Sequence, residues 1–480
     1  MKLFKIVNVV LLLFIFTSIS GQTRVNVRDF GAKGDGQHND APSILAALSK
    51  INKYGGVLYF PKGLYLTSVI DIKATTTELI TFEGEDGAIL KKDSRDPVKV
   101  AVIFSEKPNA NLVFKNLQID GNYLSNPRTW KRQGKNGILI TNEITGIFVY
   151  NANHVTVEKC SFFRIHGNGI AAFNTKSFIT RDNSVKDVSG SGIIGHKVDS
   201  MYVEGNSVTN AGILTDQFIV DGTVIKIVSN PYFTIYGDGI SAYSNYTIIR
   251  NNKVFNGGRC AIVHDLAKDL GYKNSKLIVE DNIVEVNSGK IRNNNPPSGM
   301  WFEQSGTVEL HRNHLTLIKS NSPLVSGIRF YEVLNGINMT NNTIIAEQYA
   351  KVCDNAIGIF ESSLSFCNIN NNSITGNFNY GVRVSYERSV SKINNFKIIN
   401  NSFKGTHNLK IALYMTVFGG NEFPKKMIIQ KNKFHHNIIE PLKMEYFGTV
   451  TAKPIVSELI ILDRNVKLKN SLNGVRVINK

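Results

Sequence analysis

The sequence predicts an all-β protein, a β-solenoid in which short strands stack in one direction. Short Gly-led segments recur, such as Gly239-Ile240-Ser241-Ala242-Tyr243 and Gly299-Met300-Trp301-Phe302-Glu303. Asn residues follow short apolar strands, and from Asn252 to Asn465 they recur every 29 to 33 residues. Periods of about 20 to 50 residues mark repeat architectures, and short strands without helical periodicity indicate the β form. The length of 480 residues also exceeds one ordinary globular core.

Residues 1–22 are predicted to be a secretory signal peptide. Lys2 and Lys5 precede an apolar run from Ile6 to Phe16, and small residues follow. The apolar run is too short to span a membrane. We therefore expect a secreted or periplasmic protein whose mature part, residues 23–480, is one domain without a membrane anchor.

Residues 25–68 are predicted to cap the stack. Asn39 or Asp40 can begin a helix with Pro42 in its first turn, and Ile44 and Leu48 belong to its apolar stripe. A stack of strands exposes its first hydrophobic layer, so a short amphipathic helix at this place is expected to cover it.

The same region carries a family resemblance. The segments DFGAKGDGQHNDAPSILAAL and GGVLYFPKGLYLTS resemble the N-terminal signature of the pectate-lyase-like superfamily, in its rhamnogalacturonase-like and epimerase-like branch. The resemblance implies a right-handed parallel β-helix and carbohydrate chemistry. It leaves the reaction open, because the superfamily holds hydrolases, lyases, epimerases and phage tailspikes.

The recurrent Asn residues are expected to form a structural ladder and to have no catalytic role. An Asn tolerates left-handed turn geometry, and its amide can bond to the Asn of the next coil. The predicted members are Asn116, Asn183, Asn206, Asn252, Asn282, Asn313, Asn342, Asn372, Asn401, Asn432 and Asn465.

The Gly-led strands are expected to display one row of side chains. Strand side chains alternate between faces, so the second and fourth residues after each Gly point outward if the first points inward. The fourth places hold Phe173, His196, Tyr243, Glu303, Tyr331 and Phe360, and also His264 if Cys260 takes the Gly place. The second places hold Ser241, Trp301, Arg329 and Arg383, and just past the strands come Asn174, Lys197, Asp265, Gln304, Glu332, Glu361 and Tyr386. Because stacked strands lie about 4.8 Å apart, this row predicts a substrate groove.

Three longer segments, residues 121–136, 210–238 and 286–298, each precede a Gly-led strand. We expect them to form one wall of the groove, because they leave the scaffold on the same edge.

The four cysteines show no metal-ligand spacing, and buried thiols are favoured over a disulfide between Cys353 and Cys367.

The net charge of +17 indicates an acidic partner, and in a secreted protein a uronate or sulfated polysaccharide is the predicted substrate. Neither a nucleic-acid partner nor a membrane partner is predicted, and the protein is expected to be a monomer.

The predicted catalytic residues are Glu303, His264, Glu332, Asp265 and Tyr243. The predicted substrate-binding residues are Trp301, Arg329, Arg383, His196, Lys197 and Tyr331. In this set Trp301 is a sugar platform and the arginines bind acidic groups.

Glycoside hydrolysis is narrowly favoured, with Glu303 paired with Glu332 or Asp265 as acid and base. The row lacks the adjacent Asp pair and the Gly-His-Gly motif of polygalacturonase-type members, having Gly195-His196-Lys197 instead. The first alternative is β-elimination with a His, Tyr or Arg base. The second is carbohydrate binding without catalysis. No cofactor is predicted, although a calcium-assisted elimination would call on Asp265, Glu303 and Glu332.

Overall fold

The computed structural model describes residues 22–479 apart from several segments. These are 74–75, 97–99, 127–128, 134–136, 143, 213–216, 221–222, 227–236, 267–273, 289–297, 321–325, 348–352, 388–391, 406–408, 410, 419–422, 437, 439, 448–458 and 463–476. The predicted signal peptide lies outside the described residues except for its last position. No helix among the described residues is long and apolar enough to cross a membrane.

The chain winds into coils that each add one strand to three parallel sheets, which we call the front, back and third sheets. The front sheet contains Ile70–Asp71, Ala101–Ser105, Thr145–Tyr150, the first halves of Ile170–Arg181, Ile193–Glu204 and Ile240–Arg250, then Cys260–Asp265, Ser298–Glu303, Ser326–Tyr331, Cys353–Phe360, Phe378–Tyr386, Ile411–Phe418 and Glu440–Phe447. This arrangement confirms the predicted parallel β-helix.

The back sheet follows the front sheet in each coil. It contains Arg24–Asn26, Gly56–Phe60, Leu79–Gly84, Asn111–Lys115, His154–Glu158, the second halves of the three long strands, then Lys276–Glu280, Thr307–His311, Gly336–Thr340, Leu364–Asn370, Ile393–Ile399, Lys426–Gln430, Leu459–Leu462 and Val477–Asn479.

The third sheet closes each coil. It contains Asp35–Asn39, Gly63–Thr67, Ala88–Lys92, Gln118–Asp120, Ser161–Ile165, Ser184–Val188, Ser207–Ala211, Lys253–Gly257, Ile283–Ser288, His314–Ser320, Thr343–Ala346, Ser373–Gly376, Ser402–Gly405 and Lys433–Phe434. The core lies between the three sheets and is filled by stacked apolar side chains, for example Phe302 and Phe330 with ring centroids 5.4 Å apart.

The predicted N-terminal cap is confirmed. A 3₁₀ turn, Val27–Phe30, leads to the strand Asp35–Asn39 and the helix Ala41–Ser49. Ile44 and Leu48 of this helix are fully buried over the first coils. The carboxylate of Asp40 accepts the N–H groups of Lys33 and Gly34 at 2.7 and 3.1 Å, so it fixes the preceding loop and does not cap the helix.

An Asn ladder runs along the turn between the back and third sheets. From Asn183 to Asn432, each Nδ2 donates to the Oδ1 of the next ladder Asn at 2.9–3.1 Å. The left-handed residue is the one before each ladder Asn, as at Asn341 with φ 58°. Asn116 is itself left-handed, with φ 56°, so its inclusion in the ladder was wrong. Asn465 lies outside the described residues.

The four cysteines are buried free thiols, which confirms the favoured interpretation over a Cys353–Cys367 disulfide.

Two of the three long segments form a small sheet of their own. Its strands are Thr129–Gln133, Gly137–Asn142, Gln217–Val220 and Thr223–Lys226, and Thr129 pairs with Ile219 to join the two segments. Most of the third predicted loop, residues 289–297, lies outside the described residues.

Candidate active site

The register of the front sheet places its outward side chains in two files. The file that we call the outer row contains Tyr150, Phe173, His196, Tyr243, Asp265, Glu303, Tyr331, Phe360 and Ser385. The neighbouring file contains Trp301, Arg329 and Arg383. Beneath them, Met300 and Phe302 are fully buried, as the alternation predicts.

The assignment of His264 to the displayed row was wrong by one residue. His264 pairs with Ala242 and Phe302, both of which face the core. It is fully buried, and its ring bonds to Ser305 Oγ at 2.7 Å and to the carbonyl of Ser244 at 3.1 Å. Burial lowers the pKa of His264 to about 4. His264 is therefore a neutral core residue and does not reach the groove.

The corrected register brings Asp265 into the outer row. Asp265 pairs directly with Glu303, and Ala242 pairs with His264, which places Tyr243 on the other side of Asp265. Two carboxylates thus occupy equivalent positions on neighbouring strands, with backbones about 4.8 Å apart. This pair, Asp265 and Glu303, is called the acid pair below.

The acid pair has raised proton affinity. Burial raises the pKa of Glu303 to about 7, the charges of Asp265 and Glu332 add to the effect, and Arg329 and Arg259 oppose it. Burial also raises the pKa of Asp265, mainly against the attraction of Arg259. Near neutral pH, Glu303 holds a proton for part of the time, which is the state that a general acid needs.

Arg259 and Asp238 support the site from the turns before two front strands, and the sequence patterns did not reveal them. Arg259 donates to both carboxylate oxygens of the buried Asp238, at 3.1 and 2.9 Å. Asp238 also accepts from Ser241 Oγ at 2.9 Å and from the N–H of Cys260 at 3.1 Å. This bonding fixes a guanidinium beside the acid pair. The only sequence signal was the position of both residues directly before a predicted displayed strand.

Trp301 points outward as predicted, but it is not an open sugar platform. It is only 6% exposed and packs with Cys260 and Val263 outside the main core. The guanidinium carbons of Arg259 and Arg329 lie 5.4 and 4.8 Å from its ring centroid. Its role is therefore to hold two cations in place through cation–π contacts.

A pocket of about 430 Å³ opens beside Glu303. Its lining consists of Trp301, Glu303, Arg329, Tyr331, Phe360, Glu361 and Glu387. Among the described residues, Arg329 has no ion pair, and its buried Nε has no hydrogen-bond partner. Burial lowers the pKa of Arg329, which the charge of Glu303 partly offsets. A buried guanidinium at a pocket wall suits an anionic group of a ligand.

Other predicted site residues lie around this centre. Glu332 has left-handed geometry in the turn after its strand and accepts from Gln304 Nε2 at 2.8 Å. Arg383 lies two strands beyond Arg329 and is paired with Asp354 at 2.8 Å. Glu332 therefore follows the strand of Tyr331 and acts on Glu303 through its charge, whereas Arg383 is already engaged by Asp354.

His196 and Lys197 diverge at the bend between the two halves of the strand Ile193–Glu204. The His196 ring lies in the outer row, 5.3 Å from the ring of Tyr243. Lys197 is exposed at this bend, where its φ is 56°, and lines a different depression with Asn151, Asn174 and Asp199. The structure thus brings together Tyr243, Asp265, Glu303, Trp301, Arg329 and Tyr331, with His196 adjoining, but it does not bring Lys197 to the site.

The chain matches two family models. Residues 24–109 match the rhamnogalacturonase A/epimerase, pectate lyase-like model, and residues 102–220 and 145–327 match the right-handed beta helix region. The chain is a pectate-lyase-like, right-handed parallel β-helix protein. This confirms the resemblance seen at residues 25–68 and the predicted hand of the coil.

Individual relatives of this β-helix protein differ in their names. It is 40% identical over 70 residues to alginate lyase 7 of Azotobacter vinelandii, a match that spans 14% of the chain and 7% of that relative. The A-module of the Azotobacter vinelandii mannuronan C-5 epimerase AlgE4 has a similar structure, with a TM-score of 0.52 and 15% identity over 90% of the chain and 100% of the module. PfbA, a surface adhesin of Streptococcus pneumoniae, gives a TM-score of 0.49 and 14% identity over 91% and 94%.

Proposed function

We propose that this β-helix protein is a glycoside hydrolase that cleaves an acidic polysaccharide at the acid pair. The observation that carries the proposal is the in-register pairing of Asp265 with Glu303, in which the pKa of Glu303 is raised to about 7. Glycosidases need one protonated and one ionised carboxyl group flanking the bond to be cleaved. Environments that push two neighbouring carboxyls apart in pKa produce this division of roles.

In the proposed reaction, Glu303 donates its proton to the glycosidic oxygen as that bond breaks. Asp265 either takes a proton from the attacking water or attacks the anomeric carbon itself, before water releases the sugar. Water is consumed in both routes, and its proton restores the acid pair. The anomeric form of the first product, followed by nuclear magnetic resonance, distinguishes inversion from retention.

An acidic substrate is supported by the two cations at this centre. Arg329 lines the pocket without an ion-pair partner among the described residues, whereas Arg259 is already held by Asp238. Binding a sugar carboxylate or sulfate would satisfy Arg329 with charge-assisted hydrogen bonds. The net charge of +17 further favours an acidic polymer.

The second candidate is β-elimination at a uronate, and the position of Tyr243 favours it. Tyr243 lies next to Asp265 in the outer row, so a phenolate there could take the proton α to a sugar carboxylate that Arg259 or Arg329 neutralises. However, burial raises the pKa of Tyr243 to about 12, with Asp238 adding and Arg259 opposing. A phenol with that pKa is a poor base at neutral pH, so hydrolysis is preferred.

The deciding experiment incubates the purified protein with alginate, homogalacturonan and a sulfated polysaccharide. New reducing ends without ultraviolet absorbance from an unsaturated sugar support hydrolysis. Reducing ends accompanied by that absorbance support elimination and contradict the proposal. Binding without any product, in assays that cover acidic and neutral pH, would instead favour a non-catalytic carbohydrate-binding protein.

A further inference from the structure

A continuous series of aromatic rings leads along the front sheet to the acid pair. Phe104 and Phe148 have ring centroids 5.7 Å apart, and Phe148 and Phe173 are 5.2 Å apart. Phe173 and His196 follow at 5.4 Å, and His196 and Tyr243 at 5.3 Å. Tyr243 is the direct neighbour of Asp265. We call these five rings the aromatic lane.

The aromatic lane is not part of the hydrophobic core. Each of its rings points outward and is partly exposed. By contrast, core rings such as Phe302 and Phe330 are fully buried. The inward positions beneath the lane hold aliphatic side chains, including Ile147, Ile170 and Ile193, that already fill the stack. Core packing therefore does not account for five outward rings in contact.

The small four-stranded sheet lies at the same part of the chain. Its two segments leave the third sheet and return to the front sheet just before Thr145–Tyr150 and Ile240–Arg250. These two strands belong to the coils that carry Phe148 and Tyr243, and the coils of Phe173 and His196 lie between them. The two segments pair with each other through Thr129 and Ile219. The small sheet thus joins the chain segments that enter the first and last of these four coils.

We propose that the aromatic lane is a series of sugar-stacking subsites that holds the polysaccharide on the N-terminal side of the acid pair. This inference rests on the proposed function, because the occupant is the chain that the acid pair would cleave. Flat rings offer apolar surfaces to the C–H faces of sugars. Successive rings follow the strand spacing of about 4.8 Å, which is comparable to the length of one sugar unit in an extended polymer.

The two sides of the acid pair recognise different features of the substrate. The lane contributes no arginine or lysine, and burial together with Lys197 lowers the pKa of His196, which favours its neutral form. The opposite side carries Arg329 in the pocket. Binding to the lane should therefore resist added salt, while binding at Arg329 should weaken as salt screens the charges.

The test uses full-length protein carrying Glu303→Gln, so that bound sugars are not cleaved. Its affinity is measured by calorimetry against uronate oligosaccharides from dimer to decamer, prepared from alginate and from homogalacturonan. We expect affinity to rise with length, and Phe148→Leu or Phe173→Leu, added singly, to lower the affinity for the longest oligosaccharides by about three- to tenfold. The shortest oligosaccharides, which occupy only the acid pair and the Arg329 pocket, should bind with unchanged affinity.

The Leu variants keep an apolar side chain at each position, and thermal unfolding verifies that they fold. Tyr202→Leu is the matched control, because Tyr202 is an exposed aromatic residue that contacts Tyr246 on the back sheet of the same coils. If the parent and the folded Phe variants bind long oligosaccharides with equal affinity, the proposed sugar-stacking subsites are contradicted, but the proposed function is not. A parent that binds no oligosaccharide of any length overturns the lane together with the proposed substrate class.

Discussion

Asp265 and Glu303 occupy equivalent outward positions on neighbouring strands, and burial together with the charge of Asp265 raises the pKa of Glu303 to about 7. The relationship follows from the parallel register, which stacks equivalent positions of successive coils. Two acidic side chains at one position of the repeat must face each other across one strand spacing. Their mutual repulsion and partial burial then favour a singly protonated pair.

Replacing either member of the acid pair is expected to abolish most of the turnover. Glu303→Gln removes the proton donor and Asp265→Asn removes the ionised partner, and each should lower kcat by about 10²- to 10⁴-fold. Reducing-end release is the measurement. Glu309→Gln is the control, because Glu309 lies on the back sheet and pairs with Lys276 at 3.1 Å. Near-normal turnover in both acid-pair variants would remove this centre from the mechanism.

The pH dependence of turnover should have its alkaline limb near neutrality. As pH rises through about 7, Glu303 loses the proton that it must donate, so the rate should fall. As pH falls through the pKa of Asp265, which burial raises above its usual value, the ionised partner is lost. The profile of kcat/KM against pH should therefore be bell-shaped. A rate that keeps rising above pH 8 would contradict the role of Glu303 and would instead fit a base such as Tyr243.

Arg329 is expected to determine the preference for an acidic substrate. Arg329→Ala should raise KM for the uronate polymer by about tenfold or more, since a charge-assisted hydrogen bond contributes about 1.5–3 kcal/mol. For the carboxyl-reduced form of the same polymer, wild type and variant should differ little. Arg312→Ala is the control, because Arg312 is exposed and paired with Asp281 at 2.7 Å. An equal rise in KM for both polymers would mean that Arg329 supports the structure of the pocket and does not bind the acidic groups of the substrate.

The sequence predicted the coil architecture, the cap and most of the Asn ladder, because these depend on local patterns that each repeat restates. It also predicted the phase of the strand that carries Glu303. The phase predicted for the preceding strand, Cys260–Asp265, was wrong, because Cys260 was given the Gly place. The structure assigns that place to Ala261, since the N–H of Gly239 bonds to the carbonyl of Cys260. Strand side chains have a period of two, so this slip of one residue exchanged His264 for Asp265.

Arg259 and Asp238 were beyond the reach of sequence patterns for a different physical reason. They are 21 residues apart, and their ion pair depends on how two turns meet after a coil closes. The burial of Trp301 likewise depends on two guanidiniums from different coils. Repeat patterns give the direction of a side chain, but the contacts between turns and the resulting pKa shifts require the three-dimensional structure.

The buried His264 should make the fold sensitive to acid. An unfolded histidine takes up a proton near pH 6.5, whereas folded His264 remains neutral down to about pH 4. Between these values the unfolded state binds more protons, so stability falls as pH falls, by up to about 3 kcal/mol from this residue. In His264→Gln, urea unfolding should show a smaller loss between pH 6.5 and 4. His154→Gln, at an exposed position of the back sheet, should match wild type, and equal acid sensitivity in all three proteins would contradict this role.

The Asn ladder should contribute to stability through buried hydrogen bonds that its neighbours cannot replace. Asn313 accepts from the side chain and the backbone N–H of Asn282, and donates to Asn342 Oδ1 at 2.9 Å and to the carbonyl of Val279 at 2.8 Å. Asn313→Ala leaves these buried groups unpaired, and the free energy of unfolding should drop by about 2–4 kcal/mol. The matched control is Asn341→Gly in the corresponding turn of the next coil, where φ is 58° and glycine fits without strain, so the change should stay within about 0.5 kcal/mol. Urea unfolding of both variants makes the comparison, and an equal loss in the two would assign the stability to the turn conformation and not to the ladder.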